Sequence, residues 1–246
     1  MNASPARSNA PPTMRFIVMA KAPRPGLAKT RLIPALGAEG AAALARRLLH
    51  HTLCEALAAA EQVGGAVTLC GTPMPTRLPP EAEGGLWGLP ELDGLLPRLQ
   101  LRDQGEGDLG ARMARAIQGP LADGQPCVLI GTDCPALGRD ALQRIAQALT
   151  NGHDAVLVPA TDGGYVALGL TRFEHTLFSD MPWSTDQVGP LTAARLQAAG
   201  MRLHLAPAEH DIDEPPDLAH LPPDFFGIVC DSSNKKDSPP CKPAQP

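Results

Sequence analysis

The sequence is poor in aromatic residues: two Trp, one Tyr and five Phe among 246 residues. A core at this length must be built mainly from Leu, Val, Ile and Ala, and a hydrophobic content of 43% is enough for one. No apolar run approaches the roughly 20 residues that cross a bilayer. The opening MNASPARSNAPPT lacks the apolar stretch of a secretory signal, so a cytoplasmic protein without a membrane span is expected. The six cysteines form no C-x-x-C pair and have no histidine cluster beside them. Neither a zinc site nor a disulfide framework is therefore indicated, and reduced, mostly buried thiols are the expectation. A net charge of −5 argues against a general nucleic-acid binder.

Negative charge is missing where the chain begins. No Asp or Glu precedes Glu39, whereas Arg7, Arg15, Lys21, Arg24, Lys29 and Arg31 all fall there. Four of these basic residues lie in KAPRPGLAKTRL (21–32), directly after the apolar run RFIVMA (15–20). Pro23, Pro25 and Gly26 keep this stretch out of helix and strand. Lys29 as a point charge and Arg31 as a planar fork are suited to straddling phosphates. A solvated basic loop is the competing reading, because this loop contains neither G-x-x-x-x-G-K-[ST] nor G-x-G-x-x-G.

Between Pro-, Ser- and Asn-rich ends (1–13 and about 231–246, read as disordered tails) apolar strands alternate with helical patterns. Strands are expected at 15–20, 66–71, 126–132, 153–160, 165–170 and 202–206. Helices are expected at 38–62, 108–119, 138–149 and within 187–200, with residues 72–97 irregular. Gly119-Pro120 reads as the stop of the second helix, and Asp108 as its N-cap. Nearly continuous apolar strands alternating with helices describe a mainly parallel sheet covered on both faces, a three-layer α/β/α sandwich spanning residues 14–230. Ligands bind such sheets at the carboxyl ends of the strands. The basic loop and LIGTDCPAL (129–137) both follow strands and open onto that edge.

Asp133 at a strand tip is placed to hold Mg²⁺ or Mn²⁺ beside substrate phosphates, or else to cap the helix near Arg139. Asp162-Gly163-Gly164 permits a sharp turn close to a ligand, and an ordinary hairpin turn explains it equally well. Trp183 lines a pocket or packs in the core. Asp211 and Asp213, two apart on an extended chain, aim at the same side. They complete a metal site or form an acidic turn before the helix of PPDLAHL.

The order of AKAPRPGLAKTRL, QGEGDLGARM, LIGTDCPAL, PATDGGYVALGL, MPWSTDQV and DIDEPPDL resembles a bacterial family of glycosyltransferase-A-like proteins, often described as arsenosugar-biosynthesis-type glycosyltransferases. The likeness covers about residues 14–221. It implies the nucleotide-diphospho-sugar transferase fold, with a nucleotide at the end of the first strand. Lys21, Lys29 and Arg31, with Arg24 in the same loop, become phosphate and nucleotide contacts. Asp133 stands where these transferases carry D-x-D, although TDC retains a single acid, and Asp213 becomes the second ligand of Mg²⁺ or Mn²⁺. Asp162, Gly163, Gly164 and Trp183 become acceptor-side residues, with Asp162 the expected base and Asp133 the second catalytic acid. The implied activity is metal-dependent transfer of a sugar from a nucleotide-sugar to a small-molecule acceptor. Two alternatives remain. KTRL is similar to the KSRL of phospholactate guanylyltransferases, and molybdenum-cofactor guanylyltransferases share the fold more distantly, so a nucleotidyltransferase releasing pyrophosphate fits the same residues. A non-catalytic nucleotide-binding module is the other.

Overall fold

A computed structural model describes residues 14–78 and 85–226; the two expected tails lie outside the described residues. The first apolar run forms β1 (Arg15–Lys21), and the basic loop leads through a 3₁₀ turn at Thr30–Leu32 into α1 (Ile33–Val63). Gly37, at φ 69° and ψ 168°, breaks α1 near its start, so the uninterrupted helix begins at residue 38, as the sequence pattern has it. Gly64 in the left-handed region ends it. Then come β2 (Ala66–Thr72), a small antiparallel pair of β3 (Arg77–Leu78) and β4 (Gly85–Leu86), and β5 (Leu99–Asp103). The next elements are α2 (Leu109–Ala122), β6 (Cys127–Ile130), α3 (Arg139–Thr150), β7 (Ala155–Pro159) and β8 (Tyr165–Leu170). α4 (Val188–Ala198), β9 (Leu203–Leu205) and the short α5 (Pro223–Phe226) complete the described chain.

Two expectations need correction. α2 does not stop at Gly119-Pro120 but carries Pro120 and runs to Ala122. A proline this near a helix end removes only one internal bond, and burial of Ile117 and Leu121 holds the last turn in place. β5 emerges from the end of the stretch read as irregular. As an edge strand it is half exposed and lacks the continuous apolar run that betrays its neighbours.

The seven-stranded sheet has the order β5-β2-β1-β6-β8-β7-β9. All neighbours pair in parallel except β8, which runs antiparallel to both β6 and β7. Alternate strand residues face opposite ways. Phe16, Val18, Val67, Leu69, Val128 and Ile130 meet Leu49, Leu53 and Leu57 of α1 and Leu142 and Ile145 of α3 on one side. Ile17, Leu129, Leu157 and Leu168 meet Met113 and Ile117 of α2 and Leu196 of α4 on the other. This is the expected three-layer sandwich. A third cluster packs Ile212, Leu221 and Phe225 on Leu32, Leu44 and Leu48, which fastens the late acidic segment to the start of α1. Cys70, Cys127 and Cys134 are free and buried, and burial pushes the Cys127 thiol up to about 12. Cys54, on α1, is disulfide-bonded, contrary to the expectation of reduced thiols throughout.

The tip of β2 is sealed by Trp87, whose Nε1–H donates to the carbonyls of Pro73 and Met74, each at 3.2 Å. A methyl group on Gly71 would stand 2.3 Å from the Trp87 ring and 2.6 Å from Pro75. Gly71→Ala is therefore expected to cost about 1–3 kcal/mol through overpacking, read by urea unfolding. Unchanged stability would mean that Trp87 is not held against the sheet.

Candidate active site

Lys29 is the centre of the edge. Its backbone is left-handed (φ 50°), a conformation that non-glycine residues adopt at a cost of roughly 1 kcal/mol or more and that clusters at functional sites. Its side chain is only 7% exposed. Nζ donates to Asp133 Oδ1 at 2.5 Å, Asp213 Oδ1 at 2.7 Å and the Ile212 carbonyl at 2.6 Å. Burial alone would lower the Lys29 pKa, but the two carboxylates outweigh it and hold the ammonium above its ordinary value. Asp133 arrives from the tip of β6. Asp213 arrives from the late segment, where buried Ile212 anchors the chain and the Ile212 N–H donates to the Asp133 carbonyl at 2.8 Å. Asp133 does not cap α3: Gly138 is the cap residue, and Glu55 of α1 accepts the Arg139 N–H at 2.5 Å.

Two cavities meet at these acids. The first, about 580 Å³, is walled by Lys21, Lys29, Arg31 and Arg112 together with Leu27, Leu49 and Gln104. The second, about 440 Å³, is walled by Asp162, Gly164, Tyr165, Trp183 and Asp186. Met19, Arg31, Leu109, Thr132, Asp133 and Asp213 border both, so the two are chambers of one cleft. Arg31 also lies 3.6 Å from Glu214. Lys21, at the end of β1, is exposed beside the first chamber, whereas Arg24 sits in an exposed turn and borders neither.

The Asp162-Gly163-Gly164 turn is more than a hairpin. Asp162 Oδ1 accepts the Gly164 N–H at 2.8 Å, and the Gly163 carbonyl accepts the Gly189 N–H of α4 at 2.8 Å. Gly163 has φ 92°, and a Cβ there would stand 2.3 Å from the Asp186 carbonyl oxygen. Only glycine lets this turn lie backbone to backbone against the start of α4. Trp183 is partly buried against the α2–α4 side of the core and also borders the second chamber, so both readings of it hold. Its Nε1 is buried without a partner. Asp211 lines neither chamber, whereas Asp213 borders both. Burial first, and then the carboxylates of Asp162, Asp213 and Asp133, push the Asp211 carboxyl up to about 6.

The stretch GEGDLG (105–110), part of QGEGDLGARM, has a local role that the resemblance does not describe. It carries the letters G-x-G-x-x-G after β5 and into α2, the context that gives this pattern meaning. Here its first turn is folded around arginines. Arg115 donates to the carbonyls of Gln104 and Glu106, and Arg112 Nε donates to that of Gly107 at 2.9 Å. Asp108 accepts the Ala111 N–H at 2.8 Å and caps α2 as expected. Gln104 and Arg112 are wall residues that the sequence reading missed, as are Tyr165 and Asp186.

Among the described residues no group of three or more His, Cys, Asp or Glu is arranged to hold a metal. Asp133 and Asp213 do direct two hard oxygens at one point, now held by the Lys29 ammonium, and both side chains remain about 40% exposed to the cleft. Magnesium is commonly held by one or two carboxylates with substrate phosphates and water. The donor set suits such an ion once Lys29 turns to another anion.

The family model DUF2064, "Uncharacterized protein conserved in bacteria", matches residues 87–185. No curated protein matches the chain. Among solved structures, a protein of Desulfovibrio desulfuricans G20 described as a candidate nucleotide-diphospho-sugar transferase is 27% identical, with a TM-score of 0.71 over 84% of this chain and 85% of that one. A 4-diphosphocytidyl-2C-methyl-D-erythritol synthase is 12% identical with a TM-score of 0.52, covering 86% and 97% of the two chains, and shows the fold alone. In sequence and fold the chain is thus similar to a nucleotide-diphospho-sugar transferase-type protein. Among the described residues no helix is long and apolar enough to cross a membrane.

Asp133 and Asp213 share one buried cation, so their effects on stability should not add. Asp133→Asn and Asp213→Asn are each expected to cost about 1 kcal/mol or less, because Lys29 keeps one carboxylate. The double variant leaves the ammonium without a counter-charge and should cost about 2–3 kcal/mol more than the sum, a value discounted for the exposure of the acids. Strict additivity in urea unfolding would show that Lys29 leaves the cluster without penalty.

Proposed function

We propose that the protein is a glycosyltransferase that moves a sugar from a nucleotide-diphospho-sugar to a neutral hydroxylated small molecule. The observation that carries this reading is the charge difference between the two chambers. The first sets Lys21, Lys29, Arg31 and Arg112 against Asp108, Asp133 and Asp213, and with Lys29 held by the last two acids it leaves Lys21, Arg31 and Arg112 to meet a diphosphate. The second sets Asp133, Asp162, Asp186 and Asp213 against Arg31 as its one Lys or Arg side chain. Such a wall repels a phosphorylated or carboxylated acceptor, the kind a nucleotidyltransferase of this fold would use, and accepts sugar hydroxyls.

In this reading the nucleoside diphosphate lies in the first chamber and the sugar reaches across the acids into the second. Lys29 and Arg31 bind the diphosphate and orient it. Asp162 takes the proton of the acceptor hydroxyl as the new bond to the sugar's anomeric carbon forms and the bond to the diphosphate oxygen breaks. Asp133 and Asp213 would hold Mg²⁺ or Mn²⁺. Such an ion, when bound, neutralises the charge that gathers on the departing diphosphate.

The deciding experiment supplies nucleotide-sugars or nucleoside triphosphates, with Mn²⁺ and with either neutral or phosphorylated sugars as acceptors. Nucleoside diphosphate release that depends on a neutral acceptor is expected. Pyrophosphate release from a triphosphate would replace this reading with nucleotidyl transfer. Asp162→Asn keeps the bond to the Gly164 N–H and should lower kcat by about 10²-fold or more while leaving the donor KM nearly unchanged. Full activity in that variant would remove Asp162 from the chemistry.

A further inference from the structure

Gln104 is a polar residue only 6% exposed, standing just beyond β5 and bordering the basic chamber. Its backbone N–H donates to the Gly71 carbonyl at 3.1 Å, and its own carbonyl accepts from Arg115. Its side-chain nitrogen donates twice, to the Ala20 carbonyl at 2.9 Å and the Cys70 carbonyl at 3.0 Å. Those two acceptors fix the amide, because only the amino end can face two carbonyls. Both of its N–H groups are spent inside the protein. Oε1 has no partner among the described residues and is left to the chamber. A side-chain carbonyl whose amide is held this rigidly is a one-signed reader: it rewards an N–H or O–H and penalises a lone pair.

The position of Gln104 says which part of a nucleotide meets it. Its amide bridges the tips of β1 and β2, whereas Asp133 follows β6 on the far side of β1. With strands about 4.8 Å apart, the amide stands roughly 7 Å along the sheet edge from the acid and lysine cluster. A ribose separates a nucleotide's phosphates from its base by a comparable span. Resting on the nucleotide-sugar reading above, the geometry points to Gln104 as the specificity residue for the base: Oε1 accepts a hydrogen bond from a base N–H and favours nucleobases that present one there.

The test first identifies which of GDP, UDP, CDP and ADP binds the wild-type protein most tightly with Mn²⁺, by isothermal titration calorimetry. That nucleotide is then compared with a form whose base N–H is removed by methylation (ring-N-methyl for guanine or uracil, N,N-dimethyl for cytosine or adenine) and with its 2′-deoxy form, in the wild type and in Gln104→Met. The wild type is expected to bind the N-methylated form about tenfold more weakly, the effect of one lost hydrogen bond to a buried acceptor. The 2′-deoxy form should bind normally, and the N-methyl discrimination should fall to about one in Gln104→Met. A merely structural Gln104 would lower the melting temperature of the variant but leave the discrimination intact, and that result overturns the inference. So does a wild type indifferent to N-methylation, or one that discriminates against the 2′-deoxy form instead, which would hand Oε1 to the ribose. If the wild type binds none of the four diphosphates, the proposed function fails and the base assignment fails with it. Tight binding without base discrimination removes the base assignment alone.

Discussion

The site depends on one ammonium group. Lys29 is buried, and an unpaired buried cation is not tolerated. It therefore recruits Asp133 from the middle of the sheet and Asp213 from near the end of the described chain, through contacts of 2.5 and 2.7 Å. Each acid would repel the other without it. The Ile212 carbonyl, at 2.6 Å from the same nitrogen, adds a neutral contact that pins the late segment. The left-handed backbone at Lys29 is what turns this side chain inward, while Arg31, two residues on, stays exposed to the cleft. A ligand that brings phosphates to the first chamber offers Lys29 an alternative anion. On the proposed reading, the acids would then be free to hold a divalent cation, and anion and cation binding would be linked through this one side chain.

The layers of the fold hold that arrangement in register. β1, β2, β5 and β6 run parallel and end at one edge, so the loops that follow them meet without long excursions. The reversal of β8 has a specific consequence. Its start, not its end, lies at this edge, so the tight Asp162-Gly163-Gly164 turn between β7 and β8 comes to the same place. A parallel strand there would need a long crossover and could not present a three-residue turn. Close backbone contact of that turn with α4 then fixes the second chamber.

How much of this could be read beforehand follows from where the signals lie. β1, β2, β6, β7 and β8 are buried on both faces, so each appears as an unbroken apolar run, and α1 announces itself through Leu49, Leu53 and Leu57. β5 is an edge strand whose LQLRD resembles a loop. The basic loop, Asp133 and Asp213 were legible as chemistry because charge at strand ends is informative in itself. Their mutual pairing was not, since residues 29, 133 and 213 share no local pattern. Gln104 was illegible for a different reason. An amide carries no charge and obeys no periodicity, and its role arises from two backbone carbonyls of other strands. GEGDLG was recoverable, had the strand before it been seen.

The charge pattern of the cleft also bears on which bond is made. Glycosyl transfer keeps the nucleoside diphosphate whole on the basic side, and only a neutral sugar enters the acidic chamber. Nucleotidyl transfer would ask the same acids to admit an anionic acceptor against Asp133, Asp162, Asp186 and Asp213, with Arg31 in opposition. A divalent ion at the junction would relieve two of those four charges, leaving Asp162 and Asp186 facing the newcomer. Asp211 lines neither chamber; burial first, and then Asp162, Asp213 and Asp133, push its carboxyl up to about 6. On the proposed reading, the acids of the second chamber would sort acceptors by charge.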